Sequence, residues 1–346
     1  MTSFSVAIVG LNNVAIWGHL ESFRKLDDVT LVGACDKAQS TWGNAARYGI
    51  RDVFIDYEEM IQSCKPDIVD ICSPPESHYQ IARYALESGC HVLVEKPFTT
   101  QSEEARQLVQ IASDNGLRLC VIQDYLYRRG IRLADRILKH HEIGQIHYVQ
   151  IVHLENRNDT RVANPRHWVH KLPLGELGDI LPHSVYTLEH FSPNQQVIWA
   201  HASPSTFHRW TGIDNLSVSL QSRESLANIY ITSRAVGSAF EVTLIGENYN
   251  LFIDSLTASM YKGQPLGGAF AYDKIKQVGK VCLQLASRLT SGSNSTHFLL
   301  IKDFLTSLRG GHDILFDNVQ SVHVCELQEA IERRVRRDEQ TSSMTA

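Results

Sequence analysis

Five short apolar runs in the first 125 residues, separated by polar helical stretches, constrain this chain more than any other feature. They are Phe4 to Val9, Val29 to Cys35, Asp67 to Ser73, His91 to Glu95 and Leu117 to Gln123. Helical patterns over Ala15 to Lys25, Ser77 to Ser88 and Gln101 to Asn115 fall between them. Runs without polar alternation, interleaved with helices of about a dozen residues, predict a parallel sheet covered on both faces. After Tyr127 the pattern changes. Arg132 to His141 reads as a helix and Gly144 to Leu154 as an alternating strand. Further alternating stretches follow at Val197 to Ala202, Asn215 to Leu220, Leu226 to Thr232, Phe240 to Ile245 and Asn250 to Ile253. Such alternation predicts a mostly antiparallel sheet open on one side. Two helical stretches, Thr296 to Leu308 and Asn318 to Arg337, close the chain. The predicted class is α/β: a doubly wound parallel sheet in residues 1–125, then an α+β domain in 126–346 with a large, mostly antiparallel, open-faced sheet. A length of 346 residues suits two domains of roughly 150 each.

Composition narrows the function classes. Net charge is −5 with no long basic run, so no nucleic-acid partner is expected. The arginines at 333, 334, 336 and 337 read as the solvated face of a terminal helix. Seven cysteines, odd in number and without CxxC spacing, suit reduced buried thiols in a cytosol, and no metal is expected. No signal peptide and no apolar run long enough to span a bilayer is seen, so a cytoplasmic location is the expectation.

The chemistry concentrates at strand ends. Glu95-Lys96-Pro97 follows the fourth apolar run, and open α/β sheets bind ligands at the carboxyl edge of their strands. A lysine held there can act on a substrate oxygen. The first turn reads Gly10-Leu11-Asn12-Asn13-Val14-Ala15. A dinucleotide's pyrophosphate would meet backbone N–H groups of Gly10, Asn12, Asn13 and Val14 there. Asn12 occupies the place usually held by a second glycine, and asparagine tolerates positive φ better than most residues. The segment equally suits a simple strand-to-helix turn. Asp36 ends the second strand, where a carboxylate can accept from ribose hydroxyls and repel a 2′-phosphate. That favours NAD without excluding NADP, since Lys37 is adjacent; Asp36 could instead cap a helix starting near Ala38.

Ser73-Pro74-Pro75-Glu76-Ser77-His78, then Ala85-Leu86 with Gly89, then His91-Val92-Leu93-Val94-Glu95-Lys96-Pro97, together resemble the Gfo/Idh/MocA (glucose–fructose oxidoreductase, inositol dehydrogenase) family. The resemblance extends over essentially the whole chain. It implies an N-terminal Rossmann domain binding NAD or NADP, with Ser73, Pro74, His78, Glu95, Lys96 and Asp124 near the cofactor. It also implies a cis Lys96-Pro97 bond, oxidation or reduction of a hydroxyl or carbonyl on a sugar, cyclitol or sugar nucleotide, and homodimers or homotetramers built through the C-terminal sheet. Asp124 stands where relatives usually carry asparagine.

The segment Trp168 to Tyr186 matches the family's substrate-site helix, with Asp179 and His183 as its acidic residue and histidine. Residues i and i+4 share a helix face about 6 Å apart. Pro182 suits a first turn, so the helix is expected to start near Leu181. The family frequently has an aspartate three residues after the histidine; here the residue is Tyr186. Lys96, Asp179 and His183 are the catalytic candidates. Histidine's ordinary pKa near 6.5 suits proton transfer, Lys96 stabilises alkoxide character, and Asp179 orients His183 or binds another hydroxyl. Tyr125, Arg166, His167 and Trp168 are candidate substrate-lining residues. A cofactor- or sugar-binding sensor on the same fold is the competing reading, with glycosidase-type or biliverdin-type chemistry behind it. Tyr272 to Leu289 is basic and amphipathic at helical spacing, and suits a lid, an oligomer contact, a membrane-surface helix or plain packing on the sheet.

Overall fold

The computed structural model describes residues 3–140, 143–255, 258–261, 295–310, 312 and 314–345. The Tyr272 to Leu289 segment and Cys282 lie outside the described residues. The chain divides into two compact units, 1–124 with 295–326, and 125–294 with 327–346. The change of pattern near residue 125 is thus a boundary, but the second unit does not continue unbroken to the C-terminus. Residues 295–326 belong with the first unit, an excursion that a linear reading of periodicity does not reveal.

The first unit is built on β1 (Phe4–Val9), β2 (Val29–Cys35), β3 (Val53–Phe54), β4 (Ile68–Ile71), β5 (His91–Val94) and β6 (Leu119–Val121). All neighbours pair in parallel, in the order β3-β2-β1-β4-β5-β6. Central β4 is buried along its whole length, which is why its residues show no polar alternation. The two-residue β3, Val53-Phe54, is too short an apolar run to leave a pattern to read. The order reverses between β1 and β4, the position where such sheets open a crevice beyond the strand ends.

The first helical stretch, α1, is irregular: a π-helix over Ala15–Leu20 leads into α-helix over Glu21–Phe23. The remaining helices of this unit are α2 (Trp42–Arg47), α3 (Tyr57–Cys64), α4 (His78–Glu87) and α5 (Ser102–Asp114). A later helix, α9 (Thr296–Leu308), belongs to this unit too, and its Ser295 side chain caps it by accepting the Phe298 N–H at 3.1 Å. Phe304 of α9 is fully buried. The described cysteines are free, all buried except half-buried Cys64. Burial pushes the thiol of Cys35 up to about 12 and that of Cys90 up to about 11.

The second unit carries β7 (Ile146–Asn156), β8 (Gln196–Pro204), β9 (Ile213–Gln221), β10 (Leu226–Ala235), β11 (Ala239–Gly246), β12 (Asn250–Ile253) and β13 (Ala258–Tyr261). They form one sheet ordered β13-β12-β11-β7-β10-β9-β8, antiparallel except for the β7–β10 pair. Alternation along β10 puts Ala227, Ile229 and Ile231 inside and Leu226, Asn228 and Tyr230 outside. With α6 (Arg129–Lys139) and α7 (Thr160–Ala163), the unit includes α8 (Glu176–Phe191), which packs on β7, β9 and β10 and is buried at nearly every position. α10 (Asn318–Thr345) begins in the first unit and ends in the second. Among the described residues no helix is long and apolar enough to cross a membrane.

Phe304→Ala should destabilise the protein by about 3–5 kcal/mol, the range for truncating a fully buried phenylalanine. Chemical denaturation would measure it. A loss below about 1 kcal/mol would show that α9 is not integral to the core of the first unit.

Candidate active site

At the switch between β1 and β4, the turn after β1 runs against the end of β4. Gly10 has φ +92°, and a Cβ there would lie 2.7 Å from the Cys72 carbonyl carbon and the Ser73 nitrogen. Only glycine fits both the conformation and the space. The turn is then stapled: Leu11 N–H donates to Asp36 Oδ2 at 2.8 Å, and Asn44 Nδ2 donates to the Leu11 carbonyl at 2.9 Å. Asp36 Oδ1 also accepts the Ala38 N–H at 2.8 Å. Asp36 is half-buried, while Asn12 and Asn13 are exposed at the start of the helical run that continues to Phe23. Exposed N–H groups at that start, beside a carboxylate at the end of β2, suit a dinucleotide's pyrophosphate and ribose.

Lys96 follows β5. It is half-buried, its N–H donates to Glu95 Oε2 at 3.1 Å, and its bond to Pro97 is cis, as the resemblance implies. Ser73 Oγ is bonded to Ser77 Oγ at 2.7 Å, and Pro74 is exposed. His78 is placed differently from the expectation of a cofactor contact. It is fully buried, with Nδ1 2.9 Å from the Pro97 carbonyl and Nε2 2.8 Å from the Ser73 carbonyl. It clips the ends of β4 and β5 together, and burial lowers its pKa.

Glu95 likewise points into the protein, where it joins a buried string of charged and polar groups. His19 Nδ1 lies 2.8 Å from Asp70 Oδ2, and His19 Nε2 lies 3.0 Å from Glu95 Oε1. His297 Nε2, from α9, approaches the same Glu95 oxygen at 3.3 Å. Asp124 accepts from Thr296 Oγ1 at 2.9 Å and lies 3.9 Å from His297 Nδ1. Burial alone would lower the His19 pKa, but Asp70 and Cys72 together outweigh it and hold it well above the ordinary value. His19 is therefore an imidazolium donating from both nitrogens. Burial would raise the Glu95 pKa; the hydrogen bonds from His19 and His297 bring it well below the usual carboxylate range. Gly18 makes room for this, since a Cβ there would lie 2.8 Å from the His297 ring. Two trios of potential metal donors fall within 4.8 Å of one another, His19 with Asp70 and Cys72, and His19 with Glu95 and His297.

In the second unit α8 runs unbroken from Glu176 through Pro182, so Asp179 and His183 do share one helix. The expected start near Leu181 is corrected. The proline ring meets the carbonyl of residue i−4, and that residue is Gly178, whose backbone lacks a side chain to restrict its adjustment. Asp179 is 5% exposed and is paired with Arg161 Nη1 at 3.3 Å. Arg161 also binds Asp159 and Glu155. His183 takes a different neighbour: its Nδ1 lies 2.7 Å from the Tyr186 hydroxyl, and its ring stacks on Tyr125 with centroids 4.0 Å apart. The Arg128 guanidinium sits 3.0 Å above the Tyr125 ring centre. Arg166 and Trp168 are exposed, and His167 is half-buried with Nδ1 3.4 Å from the Val169 N–H.

The first unit has the architecture of a dinucleotide-binding Rossmann domain. Residues 4–123 match the model of the Gfo/Idh/MocA oxidoreductase family, NAD-binding Rossmann fold. D-glucoside 3-dehydrogenase of Escherichia coli is 38% identical over 112 residues, 32% of each chain. The chain thus spans about a third of that relative's length. The fold over nearly the whole chain is shared with the WlbA dehydrogenase of Bordetella pertussis, solved with NADH and UDP-GlcNAcA. Its TM-score is 0.79 at 18% identity, covering 97% of this chain and 96% of the other. UDP-N-acetylglucosamine 3-dehydrogenase of Acidithiobacillus ferrooxidans gives a TM-score of 0.75 at 17% identity, covering 97% and 98%.

Sequence reasoning missed His19, Asp70, His297 and Arg161. Asp70 left a signal, because a carboxylate in the middle of a buried strand requires a partner. His297 left none, being 202 residues from Glu95.

His19→Ala would leave the Asp70 and Glu95 carboxylates buried without their cation, at a cost of about 3–5 kcal/mol. The sign of its pH dependence follows from the two shifts. The raised His19 pKa gives stability that is complete below the reference value of 6.5 and is lost as pH rises through the folded value. The lowered Glu95 pKa gives stability present above 4.5 and lost on acidification. The stability gap between wild type and variant should therefore be widest between these two reference values and narrow on either side. A gap that does not vary with pH would rule out the imidazolium assignment.

Proposed function

We propose that the chain is an NAD-dependent dehydrogenase or reductase acting at a CH–OH or carbonyl carbon of a sugar, cyclitol or sugar nucleotide. The observation that carries this reading is Lys96: half-buried at the end of β5, with its backbone held by an ionised Glu95 and followed by a cis proline. The β1 turn from Gly10 to Val14 and Asp36 hold the dinucleotide, and the Asp36 carboxylate disfavours a 2′-phosphate. The bound nicotinamide supplies or takes the hydride. Lys96 hydrogen-bonds the substrate oxygen and stabilises negative charge on it. His183 handles the proton at that oxygen. Asp179, paired with Arg161, orients His183 or binds another substrate hydroxyl, and the Tyr186 hydroxyl meets His183 Nδ1. Sugar-directed relatives support the substrate class.

The open face of the second unit's sheet supports a homo-oligomer. Trp199, Ser219, Asn228, Gln150, Thr243 and Phe252 lie in one cross-strand row on it. Trp199, Tyr230 and Phe252 are each at least 40% exposed there. Analytical ultracentrifugation should find a dimer or tetramer, shifted toward monomer by Trp199→Asp with Phe252→Asp. A monomeric wild type would refute this assembly.

Binding of NAD and NADP, followed by turnover on a panel of sugars, cyclitols and sugar nucleotides, tests the activity. NAD should bind more tightly than NADP. Lys96→Ala and His183→Ala should each lower kcat by about 100-fold or more while remaining folded. Tight cofactor binding without turnover on any member of the panel would favour a sensor instead.

A further inference from the structure

Two histidines and three carboxylates meet inside the first unit in a pattern that hydrogen bonding alone does not complete. His19 and His297 each turn Nε2 toward the same oxygen, Glu95 Oε1, at 3.0 and 3.3 Å. Each turns Nδ1 toward a different carboxylate, His19 to Asp70 at 2.8 Å and His297 to Asp124 at 3.9 Å. His19 is fully buried, and His297 and Glu95 are 4% and 6% exposed. The His297 Nδ1 is shielded from water and has no hydrogen-bond partner among the described residues. A neutral imidazole has one proton for its two nitrogens. When that proton is on Nε2 and directed at Glu95, the bare Nδ1 faces the Asp124 carboxylate, and a buried polar atom is left unsatisfied.

We propose that His19 Nε2, Glu95 Oε1 and His297 Nε2 are the ligands of one divalent ion of the zinc class. Two imidazoles and a carboxylate are a donor set that zinc takes with its fourth position left to water. Bonds of about 2.1 Å at a tetrahedral angle set neighbouring ligand atoms about 3.3 Å apart. The two nitrogen-to-oxygen separations here are 3.0 and 3.3 Å, and all three atoms lie within 4.8 Å of one another. The ion takes the place of a proton on each Nε2, so two protons leave as two positive charges arrive. Each histidine then keeps its proton on Nδ1, directed at Asp70 or Asp124, which is how carboxylates orient metal-bound imidazoles. The other trio, His19 with Asp70 and Cys72, crowds His19 Nδ1 and Asp70 Oδ2 to 2.8 Å and calls on a thiol that burial keeps protonated. Trp17, 56% exposed, lies edge-on to His297 with ring centroids 4.9 Å apart, so a single ring covers that side of the site. Cysteine spacing gave no sign of this site because none of its ligands is a cysteine. The bound ion ties α1 and α9 to the residue before Lys96.

The site is tested on the full chain without cofactor or sugar, so its failure and that of the dehydrogenase reading are distinguishable. Protein stripped with a chelator, incubated with excess zinc sulfate and desalted should retain one zinc ion per chain by plasma mass spectrometry. Cobalt(II) in place of zinc should give the intense visible absorption of a four-coordinate ion, without a thiolate charge-transfer band. His297→Gln and Glu95→Gln should each lose the retained zinc, whereas Cys72→Ser should keep it. Asp70→Asn, which alters the group orienting His19, should weaken zinc binding about 10–100-fold. Circular dichroism would establish that each variant is folded. Should the buried variants not fold, the zinc content and cobalt spectrum of the wild type decide the matter. A wild type that retains no zinc, full retention by folded His297→Gln and Glu95→Gln, or a cobalt–thiolate band would each overturn the proposal.

Discussion

The first unit depends on one buried carboxylate, Glu95, and on the two histidines that hold it ionised. A lone carboxylate taken out of water would protonate or unfold its surroundings. Here His19 from α1 and His297 from α9 share one of its oxygens, and Asp70 pairs with His19. The other oxygen is left for the Lys96 backbone. One network therefore ties α1, central β4, the end of β5 and a returning C-terminal helix to the residue before the lysine. The lysine inherits a fixed backbone from groups that never reach the surface.

The second unit arranges its chemistry differently. Its histidine is aligned by a phenol and an aromatic stack, while the nearby aspartate is spent on Arg161. The open sheet face is occupied mostly by side chains that alternate with the core, an arrangement that leaves aromatic surface on the outside without disturbing the site.

Much of this was legible in advance because it is local. The strand ends, the glycine at position 10, the cis proline motif and the Asp179–His183 spacing all follow from periodicity and turn chemistry within a few residues. Local rules also misled: proline at 182 suggested a helix start, yet the helix runs unbroken from Glu176 to Phe191. His78 looked like a ligand residue in its motif, and is instead a clip between two strand ends.

By itself the sequence determined the order of strands and helices, the two sheet types and the lysine at a strand end, since side-chain period and backbone propensity act over a turn or a strand. Only the tertiary structure decided that Glu95 turns inward to His19 and His297, that Asp179 belongs to Arg161, and that His183 belongs to Tyr186. Those pairings turn on which buried charges and donors the chain path brings within about 3 Å, the range of a hydrogen bond. No local pattern encodes a partner 202 residues away.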